Sequence, residues 1–121
     1  MRILQAALVS ASMLAFTPVV NAADQDFTIV NRTGYQIDNI WVSASASNRW
    51  GRELLGRGNV LSDGESFDVD FRSGTRNCRY DLKVMYHDKD EATWTNINAC
   101  DISKASLFYD RRNNSTRLRT E

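Results

Sequence analysis

Proline, histidine and cysteine are scarce in this chain of 121 residues, which holds one Pro, one His and two Cys. One His and two Cys fall short of the four Cys and His ligands that close a structural zinc site. The single His87 has no Gly-x-Ser-x-Gly elbow or other nucleophile motif beside it, so it reads as a surface turn residue rather than a general base. Net charge is missing as well. Fifteen basic and fifteen acidic side chains cancel to a formal zero, and a balance that close argues against a dedicated nucleic-acid binder. No window of ten or more residues carries an apolar stripe at helical spacing, which excludes a helical bundle. The length suits one domain.

The charges that exist are unevenly laid out, with none between Ile3 and Ala23. Arg2, the apolar run from Ile3 to Val20 and the helix-breaking Pro18 have the form of a secretory signal peptide. Val20-Asn21-Ala22 fits a small-x-small cleavage site, so residues 1–22 are expected to leave. Gln5, Ser10, Ser12, Thr17 and Pro18 interrupt the run and weigh against a membrane anchor, which needs about 20 mainly apolar residues. The expectation is an exported chain, periplasmic or secreted, with no transmembrane anchor after cleavage.

Export gives the two cysteines a meaning. Cys78 and Cys100 both lie in the retained part, where an oxidising compartment lets thiols pair, and an even count without remainder points to one intramolecular disulfide. The intervening chain alternates. Tyr80, Leu82, Val84 and Tyr86 fall on one face, the polar loop His87-Asp88-Lys89-Asp90-Glu91 follows, and Ala92 to Cys100 returns. A hairpin folded about Lys89 sets Cys78 opposite Cys100 and Val84 opposite Trp94. Trp94 and Ile97 have opposite parity, which calls for a bulge between them.

Other strands are predicted at Phe27–Val30, Tyr35–Ser43, Ser66–Phe71 and Ala105–Asp110, with a further one around Asn59-Val60-Leu61. In Tyr35–Ser43 the apolar residues occupy both parities, Ile37 and Trp41 against Ile40 and Val42, so that strand is either covered on both sides or bulged. The fold expected over residues 23–110 is a small antiparallel β-sandwich of about six to eight strands with one disulfide. The tail 111–121 has four Arg and one aliphatic residue, and is expected to be frayed or disordered.

Two segments carry candidate chemistry. Asn48 to Gly58 gathers Arg49, Trp50, Arg52 and Arg57 among glycines, and Trp with Arg is a pairing enriched at binding hot spots. The competing explanation is that Trp50, Leu54 and Leu55 plug the end of the sandwich while the arginines stay wet. Asp88, Asp90 and Glu91 offer hard oxygen ligands in a turn and are the best Ca²⁺ candidates, although the full calcium loop with its central Gly is absent.

The order Phe27-x-Ile29-x-Asn31-x-Thr33-Gly34-x-x-Ile37, Trp50-Gly51-x-x-Leu54-Leu55-Gly56, Leu61-x-x-Gly64, Cys78-x-Tyr80-Asp81-Leu82-x-Val84 and a second Cys resembles a group of small exported bacterial β-sandwich proteins of unknown function. The resemblance implies a β-sandwich with a Cys pair and no activity. Asp88-Lys89-Asp90-Glu91, where an Asp-Gly turn is expected, and the Arg-rich tail depart from it. The functional expectation is a non-enzymatic exported binding module whose partner is an envelope protein or a saccharide, not nucleic acid. A calcium-stabilised structural envelope protein is the alternative, and a hydrolase comes third.

Overall fold

A computed structural model describes residues 26–45, 47, 49–71 and 77–121. The expected leader, Asn48 of the Trp50 loop and Gly74 lie outside these residues. The described chain is all β. Its strands are β1 (Phe27–Asn31), β2 (Ile37–Ala44), β3 (Ser66–Val69), β4 (Arg79–Tyr86), β5 (Glu91–Asn98), β6 (Lys104–Asp110) and β7 (Ser115–Thr120). They form a four-stranded sheet in the order β3-β1-β6-β7 and a three-stranded sheet in the order β2-β4-β5. All neighbours are antiparallel except β1 and β6, which run parallel. The small all-β fold of seven strands with one disulfide is the one expected, with this single parallel pair inside it.

Alternation builds the core. Ile29, Ala105 and Leu107 of the first sheet join Ile37, Ile40, Leu82, Val84, Tyr86, Trp94 and Ile97 of the second in one buried cluster. Each large side chain so buried stabilises the fold by about 1.5–3 kcal/mol. Leu61 enters the same cluster by way of an isolated bridge to Ile37, in place of a strand around Asn59-Val60-Leu61.

Both bulges lie where parity fails in the sequence. The β2–β4 register shifts between Ile37 and Asn39, so Ile37 and Ile40 both point inward. In the β4–β5 pair Tyr80 faces Ile97 but Leu82 faces Trp94, leaving an extra residue on β5. Asn96 absorbs it at φ 58, and the Asp81 carboxylate pins it by accepting the Asn96 N–H at 2.9 Å. The hairpin register differs from the expected one. Val84 faces Ala92 rather than Trp94, and Leu82 takes Trp94. The turn closes one residue earlier because Lys89 adopts φ 78, the conformation for which glycine is usually required. The disulfide joins Cys78 and Cys100 across a Cα separation of 5.1 Å. Closing its loop is worth about 3 kcal/mol in the chain-entropy account.

The tail is the larger correction. Residues 111–114 turn, and Ser115–Thr120 pairs along β6 from Asp110↔Ser115 to Ala105↔Thr120. Trp94 of the opposite sheet donates its indole N–H to the Arg117 carbonyl at 3.0 Å, and the Thr116 hydroxyl donates to the Thr93 carbonyl at 3.1 Å. These bonds tie β7 to β5 and hold the two sheets together on that side.

Buried Asn31 organises the other end. Its amide nitrogen donates to the carbonyls of Tyr35 and Leu61 at 2.8 and 3.0 Å. Its side-chain oxygen accepts from the Thr33 N–H and hydroxyl at 3.0 and 2.6 Å. Gly34 follows at φ 85, a left-handed turn position, and its N–H donates to Asp63 at 2.8 Å. The Asn-x-Thr-Gly segment is therefore a turn whose buried amide is fully hydrogen-bonded, as burial of a polar group requires.

Candidate functional site: a tryptophan–lysine–tryptophan platform

The segment following Arg49 is strapped to the outer edge of β2. The Gly51 N–H donates to the Val42 carbonyl at 3.3 Å and the Leu54 N–H to the Ile40 carbonyl at 2.9 Å. Glu53 completes the strap from its side chain. One carboxylate oxygen accepts the N–H groups of Ile40 and Leu55 at 2.9 Å each, and the other accepts the Gly56 N–H at 2.8 Å. Leu55 is thereby driven into the core, and Gly56 turns the chain away at φ 88. An edge strand that would otherwise show bare N–H and C=O groups is covered.

The strap decides where Trp50 goes. Inward positions of β2 and β4 pair as Ile40↔Val84 and Val42↔Leu82, so Trp41↔Lys83 is an outward pair, with Thr93 beside Lys83 on β5. Trp50 is laid onto this outer face. The Lys83 ammonium lies 4.8 Å from the centre of the Trp41 ring and 4.9 Å from that of Trp50. Both distances are within cation–π range. Glu91 pairs with the same ammonium at 3.7 Å. Both rings are half-buried, and neither belongs to the core cluster, whereas Trp94 does. This outer sheet surface carries two half-buried indole rings with one ammonium within cation–π distance of both.

Of the residues singled out from sequence, Trp50 and, through its ion pair with Lys83, Glu91 are brought into this cluster. Arg49, Arg52 and Arg57 are exposed, and Arg57 lines a separate depression with Asp38, Asn39 and Glu53. Leu55, not Trp50, fills the core, so the plug and the platform are both present and fall to different residues of one segment. Trp41 and Lys83 were not legible as site residues. The one available sign was the apolar residue of wrong parity in β2.

Asp88, Asp90 and Glu91 do not converge. The Asp88 carboxylate lies 2.7 Å from Arg111 Nη1 and Asp90 lies 3.8 Å from Arg111 Nε, while Glu91 faces Lys83 across β4 and β5. Among the described residues no group of three or more His, Cys, Asp or Glu is gathered so as to hold a metal ion. The Arg111 guanidinium also stacks on Tyr35, its central carbon 4.1 Å from the ring centre. Tyr35, Tyr86 and Tyr109 cluster beneath it, with Tyr86 and Tyr109 stacked at 5.2 Å. Burial, reinforced by Tyr109, pushes the Tyr86 hydroxyl well above the ordinary tyrosine range.

His87 is mostly exposed and meets the Asp38 carboxylate at 3.2 Å. Asp38 is held below the ordinary carboxylate value by the hydrogen bond from Gln36, against a smaller opposing effect of burial, and by His87. A cysteine nucleophile is missing because both sulfurs are bridged. The bridge is compatible with an extracellular or periplasmic location, and among the described residues no helix is long and apolar enough to cross a membrane.

No family model and no curated protein matches the chain. Among solved structures it is similar to the NMR structure of a protein from Eubacterium rectale, with a TM-score of 0.55 and 15% identity over 78% of this chain and 85% of that one, a likeness that carries the fold alone.

Proposed function

We propose that the protein is a non-enzymatic, exported binding module, periplasmic or secreted, that takes a saccharide on the Trp41–Lys83–Trp50 platform. One observation carries this reading: two tryptophans stand outside the core, half-buried on the outer face of a sheet, with one ammonium within cation–π distance of both rings. Tryptophan is enriched where an apolar body meets a wet surface, and its flat ring with a polar group alongside suits an amphipathic ligand. A protein partner would favour a wide apolar patch. Among the described residues the exposed large hydrophobic is Val60, which lines the depression of Asp38, Glu53 and Arg57 rather than the platform. A saccharide, with its thin apolar faces and polar rim, fits the surface better.

The test is a glycan array probed with the wild-type protein and with Trp41→Ala and Trp50→Ala. Retention of a defined saccharide class by the wild type, weakened at least about tenfold in each variant, supports the reading. Equal retention by all three, or capture of a protein with no saccharide bound, overturns it. Melting curves of the variants separate loss of binding from loss of fold.

A further inference from the structure

The outer face of the four-stranded sheet carries a second, chemically different surface. Cross-strand partners share a face, so the pairs Phe108↔Arg117 and Ser106↔Arg119 place two arginines beside one another on β7. Val30, opposite Ser106, lies on the same side of β1, but both of these side chains are buried, so the accessible part of the face is at Arg32, Arg117 and Arg119. Arg32 follows β1, held by its N–H to the Leu107 carbonyl at 3.0 Å, and lines a shallow depression of about 210 Å³ with Phe108 and Arg117. Asp110 and Ser115 border the same depression.

Charge on this face is unbalanced. Lys104, at one end, is paired with Glu121 at 3.7 Å. Asp110 is occupied within its own turn, accepting from the Arg112 N–H at 3.0 Å and the Asn113 amide at 3.1 Å. Among the described residues no carboxylate pairs with Arg32, Arg117 or Arg119, all three exposed. Arg117 instead lies over the Phe108 ring at 4.8 Å. Arg32 and Arg117 beside the Phe108 ring, with Arg119 next along the same face of β7 and none of the three paired to a carboxylate among the described residues, complement a ligand that alternates planar anionic groups with ring faces, because the guanidinium fork matches a carboxylate in two parallel hydrogen bonds.

We propose that this face binds an acidic polysaccharide of the uronate type, with Arg32, Arg117 and Arg119 taking its carboxylates. A bilayer is the poorer occupant, since Phe108 is half-buried under Arg117 and offers nothing to insert. Nucleic acid is poorer too, since three cations on a near-neutral chain fall short of the phosphate neutralisation it demands. The site is on the other sheet from the tryptophans and stands or falls separately from them.

The experiment measures binding of oligogalacturonate to the full chain by calorimetry. The comparison ligands are its neutral methyl ester, vesicles of phosphatidylcholine with phosphatidylglycerol, and single-stranded DNA. Oligogalacturonate should bind in a salt-sensitive manner and the ester should not. Arg117→Ser with Arg119→Ser should weaken binding about tenfold or more, and Arg32→Ser should do so independently. Equal binding of the ester, stronger binding of vesicles or DNA, no binding at all, or indifference to the arginine substitutions in folded variants would overturn the assignment.

Discussion

Arg111 Nη1 lies 2.7 Å from the Asp88 carboxylate, and the same guanidinium stacks 4.1 Å above Tyr35. The partners come from the β6–β7 turn and the β4–β5 turn, so the contact fastens one sheet to the other. It also unites two features that stand out separately in the sequence, the acidic turn and the Arg-rich tail. Each supplies what the other needs.

A clamp that depends on a planar fork should not tolerate lysine. Arg111→Lys keeps the charge but loses both the stacking and the paired geometry. In thermal melts it is expected to fall nearly as far below the wild type as Arg111→Ala does. A lysine variant that melts with the wild type would show that charge alone is what matters.

Lys89 sits at φ 78 in the turn, where a side chain costs about 1–2 kcal/mol relative to the right-handed region. Glycine removes that strain and pays back part of it in unfolded-state entropy. Lys89→Gly is therefore expected to stabilise the protein by up to about 1 kcal/mol, read as a higher urea midpoint at an unchanged slope.

The Glu53 carboxylate accepts three N–H groups at the covered edge of β2. In Glu53→Gln an amide NH₂ must replace one acceptor and confront a donor. The expected loss is about 1–3 kcal/mol by chemical denaturation. Because the strap also positions Trp50, saccharide binding should weaken in the same variant while Trp50→Ala leaves stability closer to that of the wild type.

Asp38 is held below its ordinary value of 3.8 by Gln36 and His87. A depressed folded-state pKa means that the ionised carboxylate contributes stability above 3.8, and that this contribution is lost as pH falls through the lower folded value. Asp38→Asn should accordingly melt below the wild type at neutral pH, with the gap closing as the solution is acidified past 3.8. A gap that stays constant with pH would remove the carboxylate from the explanation.

Periodicity made β1 to β6 legible, because each carries apolar residues at alternate positions, broken in β2 and β5 at the bulges. The last strand was not. Ser115-Thr116-Arg117-Leu118-Arg119-Thr120 has one aliphatic side chain, and all but Leu118 are exposed. Its place is set by pairing with β6 and by bonds from Trp94 and Thr116, which leave no hydrophobic trace. The parity conflict in β2 announced its bulge, and the opposite parities of Trp94 and Ile97 announced the bulge of β5, but register depended on the backbone of Lys89. Trp50 stood out by composition. Its partners Trp41 and Lys83 reach it only through strand pairing and the Glu53 strap, which a linear pattern does not encode.

The three indole N–H resonances offer the most direct measurement. Trp41 and Trp50 form the platform, whereas Trp94 is buried with its N–H bonded to the Arg117 carbonyl at 3.0 Å. Titrating ¹⁵N-labelled protein with the saccharide selected on the array should shift the Trp41 and Trp50 indole signals together, saturably, and leave Trp94 in place. Saturable binding that leaves both platform signals unmoved would contradict the account.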